Sequence, residues 1–194
     1  MKWVISLVMA VGIGVFTPPL PGYALEADTM VEPSDPAFTL HSFDGPVTLE
    51  QFQGKLLLMF FGFTSCPDIC PVTLAMLSKA FSELSEAELA QVTGLFVSLD
   101  PGHDTPEILR KYTGYFHENI LGVTASPEVL DRLTKRFRVT YQLTESPDAL
   151  RGYVISHSTD VLIVGQNGHL LDQRIPFAAT STEISETIRK LLNT

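Results

Sequence analysis

Cysteine is almost missing from this chain: 194 residues hold two, Cys66 and Cys70. No disulfide framework can hold such a fold together, so its stability has to come from a core. Neither cysteine follows directly on the N-terminal apolar run, which leaves no lipoprotein anchor. Positive charge is also scarce. Thirteen Lys and Arg face 22 Asp and Glu, for a net charge of -9. An acidic chain of this kind has no electrostatic reason to bind nucleic acid or anionic lipid. The apolar run Trp3 to Phe16 falls short of the roughly 20 residues that span a bilayer. Internal repeats and low-complexity segments are absent too.

What is present begins with that N-terminus. Lys2 is a lone positive charge before the apolar run. Helix breakers follow (Pro18, Pro19, Pro21), then the small-x-small triplet Gly22-Tyr23-Ala24. The order reads as a secretory signal peptide over residues 1–24, cleaved after Ala24, with an uncleaved membrane anchor as the alternative. Residues 25–35 read as a short linker and 36–194 as one domain with a full-sized core. The expected location is the periplasm, free or anchored to the inner membrane.

Within the domain, Ala37 to Phe43 and Val47 to Leu49 alternate around Asp44-Gly45-Pro46, a hairpin signal. Lys55 to Phe63 is a continuous apolar run and predicts a central strand buried on both faces. Val72, Leu74, Leu77, Phe81 and Leu84 recur at a helical period, with Pro71 suited to the first helical position. Gly94 to Leu99 predicts a second buried strand. Asp104-Thr105-Pro106-Glu107 reads as a helix start with Asp104 and Thr105 as caps. Leu121 to Val123 reads as a short strand, Ser126 to Phe137 as a helix, Val139 to Leu143 as a strand, and Glu145 to Gly152 as a polar loop. Val161 to Val164 and His169 to Gln173 flank Gln166-Asn167-Gly168 as a second hairpin. Thr180 or Ser181 caps a last helix, Glu183 to Leu192. Strands alternating with helices predict an α/β fold, a mixed sheet with helices on both faces.

The cysteines then pose a choice of staple, redox pair or metal site. A bridge across so short a loop adds roughly 2 kcal/mol, which a domain of this size does not need. The pair follows the end of a central strand, where open α/β sheets place ligand sites. It also meets the start of a helix, where unpaired N–H groups and the dipole favour a thiolate. Redox exchange needs no third partner, whereas a soft metal commonly takes an imidazole as well. His41, His103, His117, His157 and His169 are available. His117 and His169 read as surface residues, and spacing alone promotes none of the five.

Four stretches add what spacing does not: FFGFTSCPDICP (60–71), SLDPGHDTPEILRKY (98–112), ISHSTDVLIVGQNGHL (155–170) and the opening AFTLHSFDGPVTLEQFQGK (37–55). With them the chain resembles the Sco/SenC family of copper-binding, thioredoxin-like proteins that help to assemble cytochrome c oxidase. The resemblance runs from about Pro36 to Leu192. It implies a thioredoxin-like fold and one copper ion, Cu(I) or Cu(II), held by Cys66, Cys70 and His157. It also implies delivery to the binuclear copper site of an oxidase subunit. The alternative it leaves open is a thiol–disulfide oxidoreductase using Cys66 and Cys70. A thioredoxin-like reductant is a further implied partner, since a disulfide forbids copper binding until it is reduced.

Three positions depart from the family pattern. Ser156 stands where an Asp often precedes the histidine, which predicts an imidazole without that orienting acid. Phe63 and Ser65 replace a common Tyr and His. His103 is expected at the surface rather than as an auxiliary ligand. Asp100 ends the second strand on the edge that carries the cysteines, with orientation of the site, partner docking and a structural role all open. Asp68, between the cysteines, disfavours nearby thiolates and favours a bound cation.

Overall fold

The computed structural model describes residues 39–149 and 151–193. The expected signal peptide, the linker and the first residues of the expected domain lie outside the described residues. Among the described residues no helix is long and apolar enough to cross a membrane.

The chain opens with strands β1 (Leu40–Ser42) and β2 (Gly45–Val47), the expected hairpin, paired antiparallel. Strand β3 (Leu56–Gly62) is buried at every position, as the apolar run predicts. Helix α1 (Ile69–Ser82) starts two residues before the expected point. Pro71 is therefore its third residue, still within the first turn, where a missing N–H breaks no helical bond. The short helix α2 (Glu86–Leu89) was not expected; a reciprocal capping box between Ser85 and Glu88 holds it.

Strand β4 (Val92–Ser98) and helix α3 (Pro106–Phe116) follow. Thr105 caps α3 by accepting from the Ile108 N–H, whereas Asp104 caps nothing and turns inward. Then come β5 (Ile120–Val123), α4 (Pro127–Arg136) and β6 (Tyr141–Glu145), the last beginning two residues beyond its expected start. Strand β7 (Tyr153–His157) was not recognised in the sequence. The second expected hairpin is β8 (Val161–Val164) with β9 (Leu170–Ile175), and its turn uses Gly168 at φ 82°, a left-handed conformation that suits glycine. Helix α5 (Ser181–Leu192) closes the chain, capped by Thr180.

Five strands form the main sheet in the order β5-β4-β3-β8-β9. The β3, β4 and β5 strands run parallel, while β8 and β9 pair antiparallel, so the sheet is mixed as predicted. Alternate side chains of β3 serve two cores. Leu57, Met59 and Phe61 pack with Leu130, Leu133 and Phe137 of α4 and its end. Leu56, Leu58 and Phe60 pack with Leu74 and Leu77 of α1, Leu109 of α3 and Ile184 and Ile188 of α5. Each such fully buried side chain contributes about 2 kcal/mol of transfer free energy. The β6–β7 pair stands apart as its own two-stranded sheet.

Candidate metal centre

The centre of the site is set by the way β3 stops. The Leu99 N–H donates to the Gly62 carbonyl at 2.8 Å, so β3 and β4 end together. Thr64 is then caught by Asp104. Its N–H donates to Asp104 Oδ2 at 2.8 Å and its hydroxyl to Oδ1 at 2.5 Å. The Ser98 hydroxyl donates to Asp104 Oδ2 at 2.6 Å. Asp104 is wholly buried. It ties the loop before Cys66 to the end of β4, a role that its Asp-Thr-Pro context concealed.

Both cysteines are free. Cys66 lies half-buried in the turn before α1, and Cys70 is the second residue of that helix with no exposed surface. The sheet makes room for Cys70 at Gly62. A Cβ there would stand 2.7 Å from the Cys70 sulfur and 2.9 Å from the Phe96 ring. Glycine is needed here for space, and it is the one residue in the β3 run without a side chain.

The two thiols are not equivalent. The Cys70 thiol donates to Cys66 and draws the Cys66 pKa down to about 3, against the opposing effect of burial. His157 and the backbone N–H groups of Asp68 and Cys70 add to the lowering. Asp68 makes no capping bond of its own, which leaves the first N–H groups of α1 for the sulfur. Sharing its proton with Cys66 pushes Cys70 strongly upward, and burial pushes it further. Cys66 therefore carries the negative charge and Cys70 keeps the proton.

The structure brings His157 to this pair from 87 residues away, with Nε2 4.0 Å from Cys70 Sγ. On the other side of the ring, Nδ1 lies 2.7 Å from the Ser158 carbonyl, which can only accept. Nδ1 thus carries a proton, and Nε2 is the ring nitrogen that faces the sulfurs. Ser156 in place of Asp does not leave the imidazole unheld, because the Ser158 backbone orients it. Phe63 and Phe60 meet the ring edge-on, at 6.0 and 6.3 Å between centroids. Among the described residues no three His, Cys, Asp or Glu side chains already stand as a metal cage. Cys66, Cys70 and His157 adjoin one another, and their donor types suit a soft ion such as Cu(I).

His117 is half-buried rather than at the surface, edge-on to Phe81 at 5.4 Å, with Nδ1 accepting from the Asn119 N–H. His169 is likewise half-buried, and His41 is exposed beside the bridge to Thr124. His103 is exposed, as expected, with Nδ1 3.0 Å from Asp100.

Asp100 is buried and bonded to Tyr153, His103 and Arg151, so it has a structural role at the floor of the site. It accepts from the Tyr153 hydroxyl at 2.6 Å and from the Arg151 guanidinium. Burial pushes its pKa up, but the bonds from Tyr153, His103 and Arg151 outweigh that and hold the carboxyl below its ordinary value. Burial and the Asp100 bond push the Tyr153 hydroxyl to about 12, so it stays a donor. Arg151, Tyr153, Thr64 and Gly62 were not singled out in the sequence. Only Gly62, alone without a side chain in a buried strand, carried a readable signal. A groove of about 630 Å³, lined mainly by apolar groups such as Phe63, Ile69 and Ile155, opens over Cys66 and His157.

Comparison with known proteins identifies the family. The sequence model of SCO1/SenC matches residues 26–193. The chain belongs to the SCO1/SenC family. Mitochondrial SCO2 of Saccharomyces cerevisiae is 33% identical over 136 residues, which is 70% of this chain and 45% of that protein. Mitochondrial SCO1 homolog 1 of Arabidopsis thaliana is 38% identical over 122 residues, 62% of this chain and 36% of that protein. The chain therefore spans less than half the length of these two relatives. Arabidopsis thaliana ScoI, solved with copper bound, superposes with a TM-score of 0.73 at 30% identity, covering 80% of this chain and 96% of that one. BsSco, in which a disulfide switch was identified, is a member of the Sco family of cytochrome c oxidase assembly proteins. It superposes with a TM-score of 0.62 at 25% identity, over 80% of this chain and 91% of that one. The Sco neighbours are thioredoxin-like, and this mixed sheet flanked by helices shares their fold.

Proposed function

We propose that this protein is an exported copper chaperone. It binds one copper ion through Cys66, Cys70 and His157. It then delivers that copper to the binuclear copper site of a cytochrome c oxidase subunit. The observation that carries this reading is the aim of His157. Its Nδ1 is committed to the Ser158 carbonyl, so Nε2 turns toward the buried sulfur of Cys70. An imidazole held in this tautomer beside two thiols is a soft-metal donor set. Family membership and the copper-bound Arabidopsis relative support the choice of copper.

Copper is cargo in this reading. Cys66, ionised and half-exposed under the groove, is the first sulfur to take the ion from solution and the first that an incoming ligand can replace. Cys70, sealed in the core, is the last to let go. Taking up copper with both thiolates releases the proton that Cys70 holds. The acidic surface helps to recognise the partner, and a thioredoxin-like reductant keeps the pair reduced in an oxidising compartment.

The unequal thiols also favour a second reading, a thiol–disulfide oxidoreductase acting on the cysteines of a copper-receiving partner. That activity leaves the aimed imidazole without a task, so it ranks second. The deciding experiment is an anaerobic titration of the reduced protein against a chromophoric Cu(I) chelator, beside His157→Ala. The chaperone reading expects one tightly held copper per chain, strongly weakened in the variant. Binding that ignores His157, or no competitive binding, rejects it in favour of the dithiol reductase.

A further inference from the structure

The candidate ligands stand on two bodies that share no strand pairing. The cysteines follow β3 of the main sheet, whereas His157 ends β7 in the separate β6–β7 pair. The short link 158–160 ties the His157 end to β8, which pairs with β3, but the other end of β7 needs anchors of its own.

Arg151 is placed to supply one. It sits two residues before β7, with its side chain 20% exposed. Its Nη1 bonds Asp100 Oδ2 and lies 3.5 Å from Asp104 Oδ1. Asp104 in turn holds both the N–H and the hydroxyl of Thr64, two residues before Cys66. One continuous polar path therefore runs from the histidine-bearing strand to the cysteine-bearing loop: Arg151, Asp104, Thr64. The Tyr153 hydroxyl adds a parallel contact to Asp100. Apolar support for the pair is thin by comparison. Ile155 is the β7 side chain in the buried core, and Val154 and Leu143 are about half exposed, at 46% and 50%.

We propose that Arg151 is a positioning residue that holds the β6–β7 pair to the cysteine loop and so sets where His157 stands relative to Cys66 and Cys70. This rests on the three-ligand reading above. A strand is a stiff lever: β7 runs about 13 Å from Tyr153 to His157, so a small tilt at its anchored start displaces the imidazole. One guanidinium nitrogen, Nη1, meets both carboxylates, so an ammonium on a shorter, more flexible stem reproduces the contact only in part.

The test uses Arg151→Ala and Arg151→Lys. Loss of an outer partner of this kind typically weakens a metal site by about 10-fold or more. Arg151→Ala is expected to weaken Cu(I) binding by that factor. It should also move the electron paramagnetic resonance spectrum of the Cu(II) form toward that of His157→Ala. Arg151→Lys should recover part of both. In the copper-free protein, Arg151→Ala should speed amide hydrogen exchange over 153–157 and leave 56–62 unchanged. Wild-type affinity and spectrum in Arg151→Ala overturn the proposal. Equal acceleration across 56–62 also overturns it, because that marks general destabilisation. If the wild-type protein binds no copper, the chaperone reading fails, and the exchange measurement alone decides whether Arg151 anchors β7.

Discussion

Cys66 and Cys70 stand on the body of the molecule, and His157 stands on an appendage. Cys70 is walled in by the apolar core and by the gap at Gly62, so its position is fixed by close packing. The β7 strand that carries His157 has one buried side chain and a set of polar anchors at Asp100 and Asp104. Two donors are thus preorganised by packing, and the third is brought in by hydrogen bonds. On the proposed chaperone reading that asymmetry favours metal release, because polar anchors loosen more readily than a core repacks.

The largest expected effect lies within the cysteine pair. Cys66 is ionised down to about pH 3, whereas Cys70 is protonated and sealed. Since the thiolate is the nucleophile, iodoacetamide should label Cys66 about 100-fold faster than Cys70 at neutral pH. A lowered pKa keeps an acid ionised as pH falls through the ordinary thiol range. The Cys66 rate should therefore stay level from about pH 8 to about pH 5, where an ordinary thiol would slow roughly 10-fold per unit. Peptide mapping after timed labelling reads both values. A Cys66 rate that falls with pH from the alkaline side erases the difference between the sulfurs.

Asp104→Ala cuts the link between body and appendage. It leaves the Thr64 N–H and hydroxyl and the Ser98 hydroxyl without their acceptor, at a site buried or partly buried. The expected cost is about 3 kcal/mol in urea unfolding, from these three orphaned donors. A loss within about 0.5 kcal/mol, the usual range for surface changes, would mean that the carboxylate holds nothing together.

Gly62→Ala presses on the body alone. The new methyl meets the Cys70 sulfur and the Phe96 ring, and forcing it in costs about 1–3 kcal/mol. Urea unfolding should show that loss, with amide exchange in β7 no faster than in β3. Unchanged stability would place slack where the structure has contact.

The same contrast explains what the sequence disclosed. Elements governed by local pattern were legible: the buried run of β3, the caps Thr105 and Thr180, and the turn at Gly168. Strand β7 was not, because its Tyr153 to His157 pattern gains meaning only through pairing with β6. Helix α2 is too short to show a period. Asp104 read as a cap because Asp-Thr-Pro is a helix start in any context. Its actual partners arrive from Thr64, Ser98 and Arg151. The cysteine pair announced itself by spacing, but His157 came forward through family resemblance. Arg151, one cation in a polar loop, carried no signal at all.

The central claim is that an imidazole from the appendage completes a site begun by two sulfurs of the body. X-ray absorption at the copper edge of the reduced, Cu(I)-loaded protein tests it most directly. The expected first shell holds two sulfur scatterers and one nitrogen, and the nitrogen disappears in His157→Ala. A shell of sulfur alone in the wild-type protein, or a nitrogen that persists in the variant, would contradict the account.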